Sequence, residues 1–122
     1  MMATDRSGRA PVIEVLYVQD CPHYQETLAM VERVQGELAI EAELRTTLIV
    51  DQAAAERAQF PGSPTVRVDG HDVEPGGEPA TEYIVGCRLY RLEYRFASQP
   101  EERWVREALR RHKEAEPRAS AE

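Results

Sequence analysis

The chain is poor in cysteine, with Cys21 and Cys87 the only two among 122 residues. Two thiols cannot make the dense disulfide framework of a small secreted domain. Long hydrophobic runs are also missing: no stretch approaches the roughly 20 apolar residues of a membrane span. Residues 1–10 are polar and lack the apolar centre of a secretory signal. These absences predict a cytoplasmic protein whose thiols are reduced at rest. Basic charge is scarce as well, with 15 Lys and Arg against 22 Asp and Glu and a formal net charge of −7. That balance argues against general nucleic-acid or anionic-membrane binding, both of which need basic surfaces. No phosphate-binding loop, Ser-His-Asp arrangement or acid–base carboxylate motif is present. Cys-x-x-Cys paired with His-x-x-x-His, the spacing of a structural metal site, is absent too. Cys21 and His23, with Cys87 or His71, leave only a loose soft-metal option, and neither a metal nor a cofactor is assigned.

What is present fits one domain over residues 11–114, between a polar leader (1–10) and a polar tail (115–122). Residues 12–18 are rich in β-branched and aromatic side chains and predict a mostly buried strand. From Pro22 to Leu38 the pattern is helical, with Leu28, Val31, Gln35 and Leu38 on one stripe widened by Tyr24 and Val34. Residues 42–50 alternate, with Ala42, Leu44, Thr46, Leu48 and Val50 on the expected buried side. Asp51 is suited to cap a short helix over 52–59, which the Phe60-Pro61-Gly62 cluster ends. Residues 65–68 form a strand, Asp69-Gly70 a two-residue hairpin turn, and residues 71–74 the return. Residues 75–82 are a loop, and Tyr83 to Tyr94 hold a further strand interrupted by Gly86. Ser98 and Glu101 have capping-box spacing for a last helix to Lys113. Its apolar stripe is Trp104, Val105, Ala108, Leu109 and His112. Arg88 to Lys113 carry eight Lys or Arg against four Glu. That stretch reads as a solvated face, the alternative being attraction of an anionic small molecule near Arg88 and Arg91.

A β-α-β opening followed by a hairpin predicts an α/β sandwich, its mixed central sheet of four to five strands covered by helices on both faces. Cys21 falls where the first strand turns into the first helix. There, helix N–H groups and the dipole favour thiolate, while the neighbouring Asp20 opposes it.

This order, with a cysteine at the first strand-to-helix turn and Ser63-Pro64-Thr65 opening the third strand, resembles the thioredoxin fold over residues 12–113. Cys21-Pro22-His23 is similar to the start of the Cys-Pro-His-Cys motif of bacterial disulfide-forming oxidants. Together with Gly62-Ser63-Pro64-Thr65, Val68-Asp69-Gly70 and Cys87-Arg88-Leu89-Tyr90, it resembles a group of small bacterial thioredoxin-like proteins, some of which carry an alkylmercury-lyase label. The resemblance implies that Cys21 is the attacking thiol. It also implies that Pro22, His23, Tyr24, Ser63, Pro64 and Thr65 bind substrate, with a cis Pro64 offering an edge to a substrate backbone. The chain departs from the pattern at Tyr24, which stands where the second cysteine of Cys-x-x-Cys would be. The dithiol cycle within one motif is therefore unavailable. Cys87 reads either as a core residue beside Leu89 and Tyr90 or as a distant resolving thiol. Three functions follow: monothiol exchange with glutathione or a protein thiol or disulfide, a non-catalytic binding domain, and a soft-metal or organomercurial thiol-binding protein.

Overall fold

A computed structural model describes residues 10–76, 82–92 and 94–115, without the side chains of Arg91, Glu114 and Ala115. The expected leader and tail, apart from residues 10 and 115, and most of the 75–82 loop lie outside the described residues. Strands β1 (Val12–Tyr17), β2 (Glu43–Leu48), β3 (Thr65–Val68) and β4 (His71–Asp72) form a four-stranded mixed sheet in the order β2-β1-β3-β4. β1 runs parallel to β2 and antiparallel to β3, and β3 runs antiparallel to β4. A separate ribbon joins β5 (Tyr90–Arg91) to β6 (Phe96–Ala97).

The alternation of β1 supplies both faces of the sheet. Ile13 and Val15 join Met30, Val31 and Val34 of helix α1 (Tyr24–Leu38) and Trp104, Val105 and Leu109 of helix α3 (Glu102–Ala115). Leu16 points the other way, to Ile49, Phe60 and Ala55 of helix α2 (Gln52–Ala58). Helices therefore cover both faces, as the β-α-β reading expects. Each fully buried Val, Leu or Ile contributes about 1.5–3 kcal/mol.

Two local signals act as expected. Asp51 accepts the Ala54 N–H at 2.8 Å and caps α2. Asp69 and Gly70 have φ of 53° and 87°, the two positive angles that a type I′ hairpin turn requires. Asp69 then binds at two further places, taking the Val12 N–H at 2.9 Å and pairing with His112.

Elsewhere the chain departs from the sequence reading. α1 starts at Tyr24, two residues after Pro22, because Pro22 and His23 are spent in a turn. Its buried face is centred on Thr27, Met30, Val31 and Val34, with Leu28, Gln35 and Leu38 at the margin. Thr27 is drawn inward by donating to Gln99 Oε1 at 3.1 Å. From its middle the alternation of 42–50 departs from expectation: Thr46, Leu48 and Val50 are exposed, whereas Thr47 is partly buried and Ile49 buried. β2 stops at Leu48, and Ile49 turns its side chain towards α2 while its N–H donates to Tyr17 O at 2.8 Å. Among the described residues of the 83–94 segment only Tyr90–Arg91 is strand, and it pairs with β6, which the sequence does not suggest. α3 opens at Glu102, four residues beyond Ser98, so Ser98 does not cap it.

α1 and α3 are tied by charge. Arg33 donates to Glu102 Oε1 at 2.8 Å, and Arg106 bridges Glu102 and Glu37. Hydrogen bonds from Arg33 and then Arg106 hold the Glu102 carboxyl at about 2, below the ordinary 4.5. A carboxyl depressed by folding stabilises above its unfolded value and loses that contribution as pH falls through the folded one. The window here runs from about 4.5 down to about 2. Glu102→Gln is expected to make the loss of stability on acidification shallower, read as urea midpoints at several pH values. Parallel curves for both proteins would count against the pairing.

Candidate functional site

β1 delivers the site. Its last residues run into a turn in which the Cys21 N–H donates to Val18 O at 3.2 Å. Asp20 takes φ 65° there, a left-handed conformation that Asp tolerates better than most residues. The Tyr24 N–H donates back to Cys21 O at 3.4 Å, so the cysteine stands immediately ahead of α1. α1 has no side-chain cap at His23. Instead, His23 Nδ1 lies 3.5 Å from Glu26 Oε1, and Gln99 Nε2 donates to the same oxygen at 3.2 Å.

Cys21 is half-buried and free. It lines a cavity of about 300 Å³ with Tyr17, Val18, Asp20, Pro22, Tyr24 and Gln25. Tyr24, the residue in the second-cysteine position, stacks on Tyr17 with ring centroids 3.8 Å apart and planes 13° from parallel. Desolvation, then Tyr24, pushes the Tyr17 hydroxyl above its ordinary value. Tyr17 is a member of this wall that the sequence reading places only in a buried strand. His23 lines a different and larger open groove of about 670 Å³, together with Arg33, Arg95, Phe96 and Gln99.

The Ser63-Pro64-Thr65 loop is fastened to the same end of β1. The Val18 N–H donates to Ser63 Oγ at 3.1 Å, and Thr65 pairs with Leu16. The Ser63–Pro64 peptide is cis. This loop is not an open edge. The Ser63 N–H donates to Gly86 O at 2.7 Å, Ser63 O accepts the Arg88 N–H at 2.9 Å, and Pro64 O accepts the Tyr90 hydroxyl. The backbone groups expected to meet a substrate are thus taken by the chain's own residues 86–90. Thr65 is fully buried, its hydroxyl donating to Gly62 O at 2.6 Å.

Cys87 is exposed. The core reading of this residue is corrected, because the side chains turned inward on this segment are Arg88 and Tyr90. The reading of Arg88 as a solvated cation, or as an aid to an anionic thiol, is corrected as well. Its guanidinium donates to Thr65 Oγ1 at 2.9 Å, Asp72 Oδ2 at 2.8 Å and Glu74 Oε1 at 2.6 Å, and lies 4.2 Å above the Tyr90 ring. Desolvation pulls the guanidinium down, but Tyr90, Asp72 and Glu74 outweigh it and the net shift is upward. Burial likewise pushes the Tyr90 hydroxyl well up, keeping it a donor to Pro64 O. The Arg91 side chain lies outside the described residues.

Gly62 permits this close approach. It has φ 134°, and a Cβ there would lie 2.8 Å from Arg88 Cβ and 3.0 Å from Arg88 Cα. Gly62→Ala combines a strained backbone with a clash against the 86–88 segment, and the expected cost is about 2–4 kcal/mol in urea unfolding. A loss no greater than that of Gly36→Ala, where the added Cβ meets nothing within 4 Å, would remove this account of the loop.

Among the described residues no group of three or more His, Cys, Asp and Glu side chains is placed to hold a metal ion. No helix of the described residues is long and apolar enough to cross a membrane. Comparison with protein-family models, curated proteins and solved structures finds no match.

Proposed function

We propose that the chain is a thioredoxin-like protein whose Cys21 thiol carries out thiol–disulfide exchange. The observation that carries this reading is the placement of Cys21. It is half-buried in its own cavity at the end of the central strand, directly ahead of α1, with the Ser63-Pro64 loop bound to the same strand end. The thiolate is the form of a cysteine that attacks disulfides. Tyr24 stacks on Tyr17 and leaves no second thiol within the motif. The first product is therefore a mixed disulfide on Cys21.

The occupied loop edge selects the partner. An extended polypeptide pairing at Ser63 has to displace residues 86–88, whereas a small disulfide such as oxidised glutathione needs only the cavity. Wild type and Cys21→Ser separate this reading from a non-catalytic binding domain. Reaction of oxidised glutathione at Cys21 is expected in wild type and is lost from that position in the variant, with insulin reduction slow in both. No thiol mass shift in either protein after oxidised glutathione removes exchange and leaves the binding domain.

A further inference from the structure

Ser63 is the meeting point of the two cysteine-bearing segments. Its side chain holds the end of β1 through the Val18 N–H, three residues before Cys21. Its backbone pairs with the other segment as an isolated parallel bridge whose partner is Cys87 itself. The flanking bonds, Ser63 N–H to Gly86 O and Arg88 N–H to Ser63 O, fix the register that sets Cys87 beside Ser63. Neighbouring strands lie about 4.8 Å apart, so the Cys87 backbone runs one strand spacing from the residue that anchors the Cys21 turn. Below Cys87, Arg88 and Tyr90 are buried and bonded to Thr65 and Pro64, which fastens the segment to the loop. Cys87 itself is turned outward and free.

We infer that Cys87 is the resolving thiol for Cys21, and that the two form a reversible internal disulfide during exchange with a small disulfide. This deepens the proposed exchange at Cys21 and rests on it. In the first step the Cys21 thiolate attacks one sulfur of the small disulfide. A Cys21–S–S–R bond forms, the original S–S bond breaks, and the first RS⁻ leaves and takes a proton from water. In the second step the Cys87 thiol, having released its proton to water, attacks Cys21 Sγ. The Cys21–Cys87 bond forms and the second RS⁻ leaves. The protein loses two electrons and two protons, and the small disulfide becomes two thiols. Residues 86–88 occupy the edge at Ser63 and bring with them the thiol that the Tyr24 position lacks.

The test uses oxidised glutathione on the full chain, wild type and Cys87→Ser, with quenching by alkylation and peptide mass mapping. Cys87 is exposed, so serine there leaves the packing intact, and matched thermal melts check this. In Cys87→Ser, glutathione is expected to accumulate on Cys21. In wild type that adduct is expected to be at least about tenfold less populated, replaced by a linked Cys21–Cys87 peptide. Equal, persistent Cys21 adducts in both proteins overturn the inference and leave exchange at Cys21 standing. Wild-type dimers linked through Cys87 overturn it too. If Cys21 forms no adduct in Cys87→Ser and wild type forms no linked peptide, the inference and the exchange reading fall together.

Discussion

Arg88→Met is expected to cost about 3–5 kcal/mol of stability, the range for removing one partner of a buried ion pair. The Arg88 side chain is 6% exposed and those of its partners Asp72 and Glu74 are 3% and 17% exposed. Methionine fills much of the volume but takes the guanidinium away from two desolvated carboxylates. The stacking over Tyr90 and the donor to Thr65 Oγ1 go with it. Against a typical total stability of about 5–15 kcal/mol, such a loss brings the domain near unfolding at ordinary temperature. Arg88→Lys is expected to fall between the two, because one ammonium cannot span three acceptors that a planar guanidinium reaches together. Neutralising both partners in the Met background, with Asp72→Asn and Glu74→Gln, is expected to recover part of the loss. Urea unfolding measures all of these. A loss below about 1 kcal/mol for Arg88→Met, the size of an exposed pair, would contradict the buried network.

That network also explains what the sequence could and could not disclose. The elements that rest on local chemistry are legible: the apolar run of β1, the Asp51 cap, the Asp69-Gly70 turn and the cysteine ahead of α1. What is not legible depends on partners distant in the chain. Arg88 looks like one of many cations until Thr65, Asp72 and Glu74 are folded around it, 14 to 23 positions away. Cys87 alternates with the buried Arg88 and reads as core only if Leu89 faces inward, but Leu89 is 67% exposed. The end of β2 fails for a related reason. From Thr46 onward the expected face is exposed, and the opposite face, with Ile49 still paired to Tyr17 O, meets the apolar cluster that contains Ala55 of α2. Ser98 and Glu101 have capping spacing, yet Pro100 is buried between them and the helix opens beyond both. For the site, Cys21 and Ser63-Pro64 are visible as a motif, whereas the closure of the loop by residues 86–90 is a tertiary fact with no local signature.

Closure of that loop shapes the second large effect, on reactivity rather than stability. Cys21→Ser is expected to slow exchange at least about tenfold, to the rate of the exposed Cys87 thiol that remains. A serine hydroxyl is essentially un-ionised at neutral pH, and no adjacent base activates it as in hydroxyl-nucleophile enzymes. Stability should change little, because the Cys21 N–H and C=O keep the turn through Val18 and Tyr24 whatever the side chain. Accessibility alone points the other way: Cys87 is exposed and Cys21 only half-exposed. The two explanations give opposite rankings for single-cysteine proteins.

The decisive measurement is the second-order rate of mixed-disulfide formation with oxidised glutathione in Cys87→Ser, which keeps Cys21, and in Cys21→Ser, which keeps Cys87. Placement of Cys21 ahead of α1 predicts that the first reacts at least about tenfold faster. Equal rates, or faster reaction at Cys87, would contradict Cys21 as the attacking thiol.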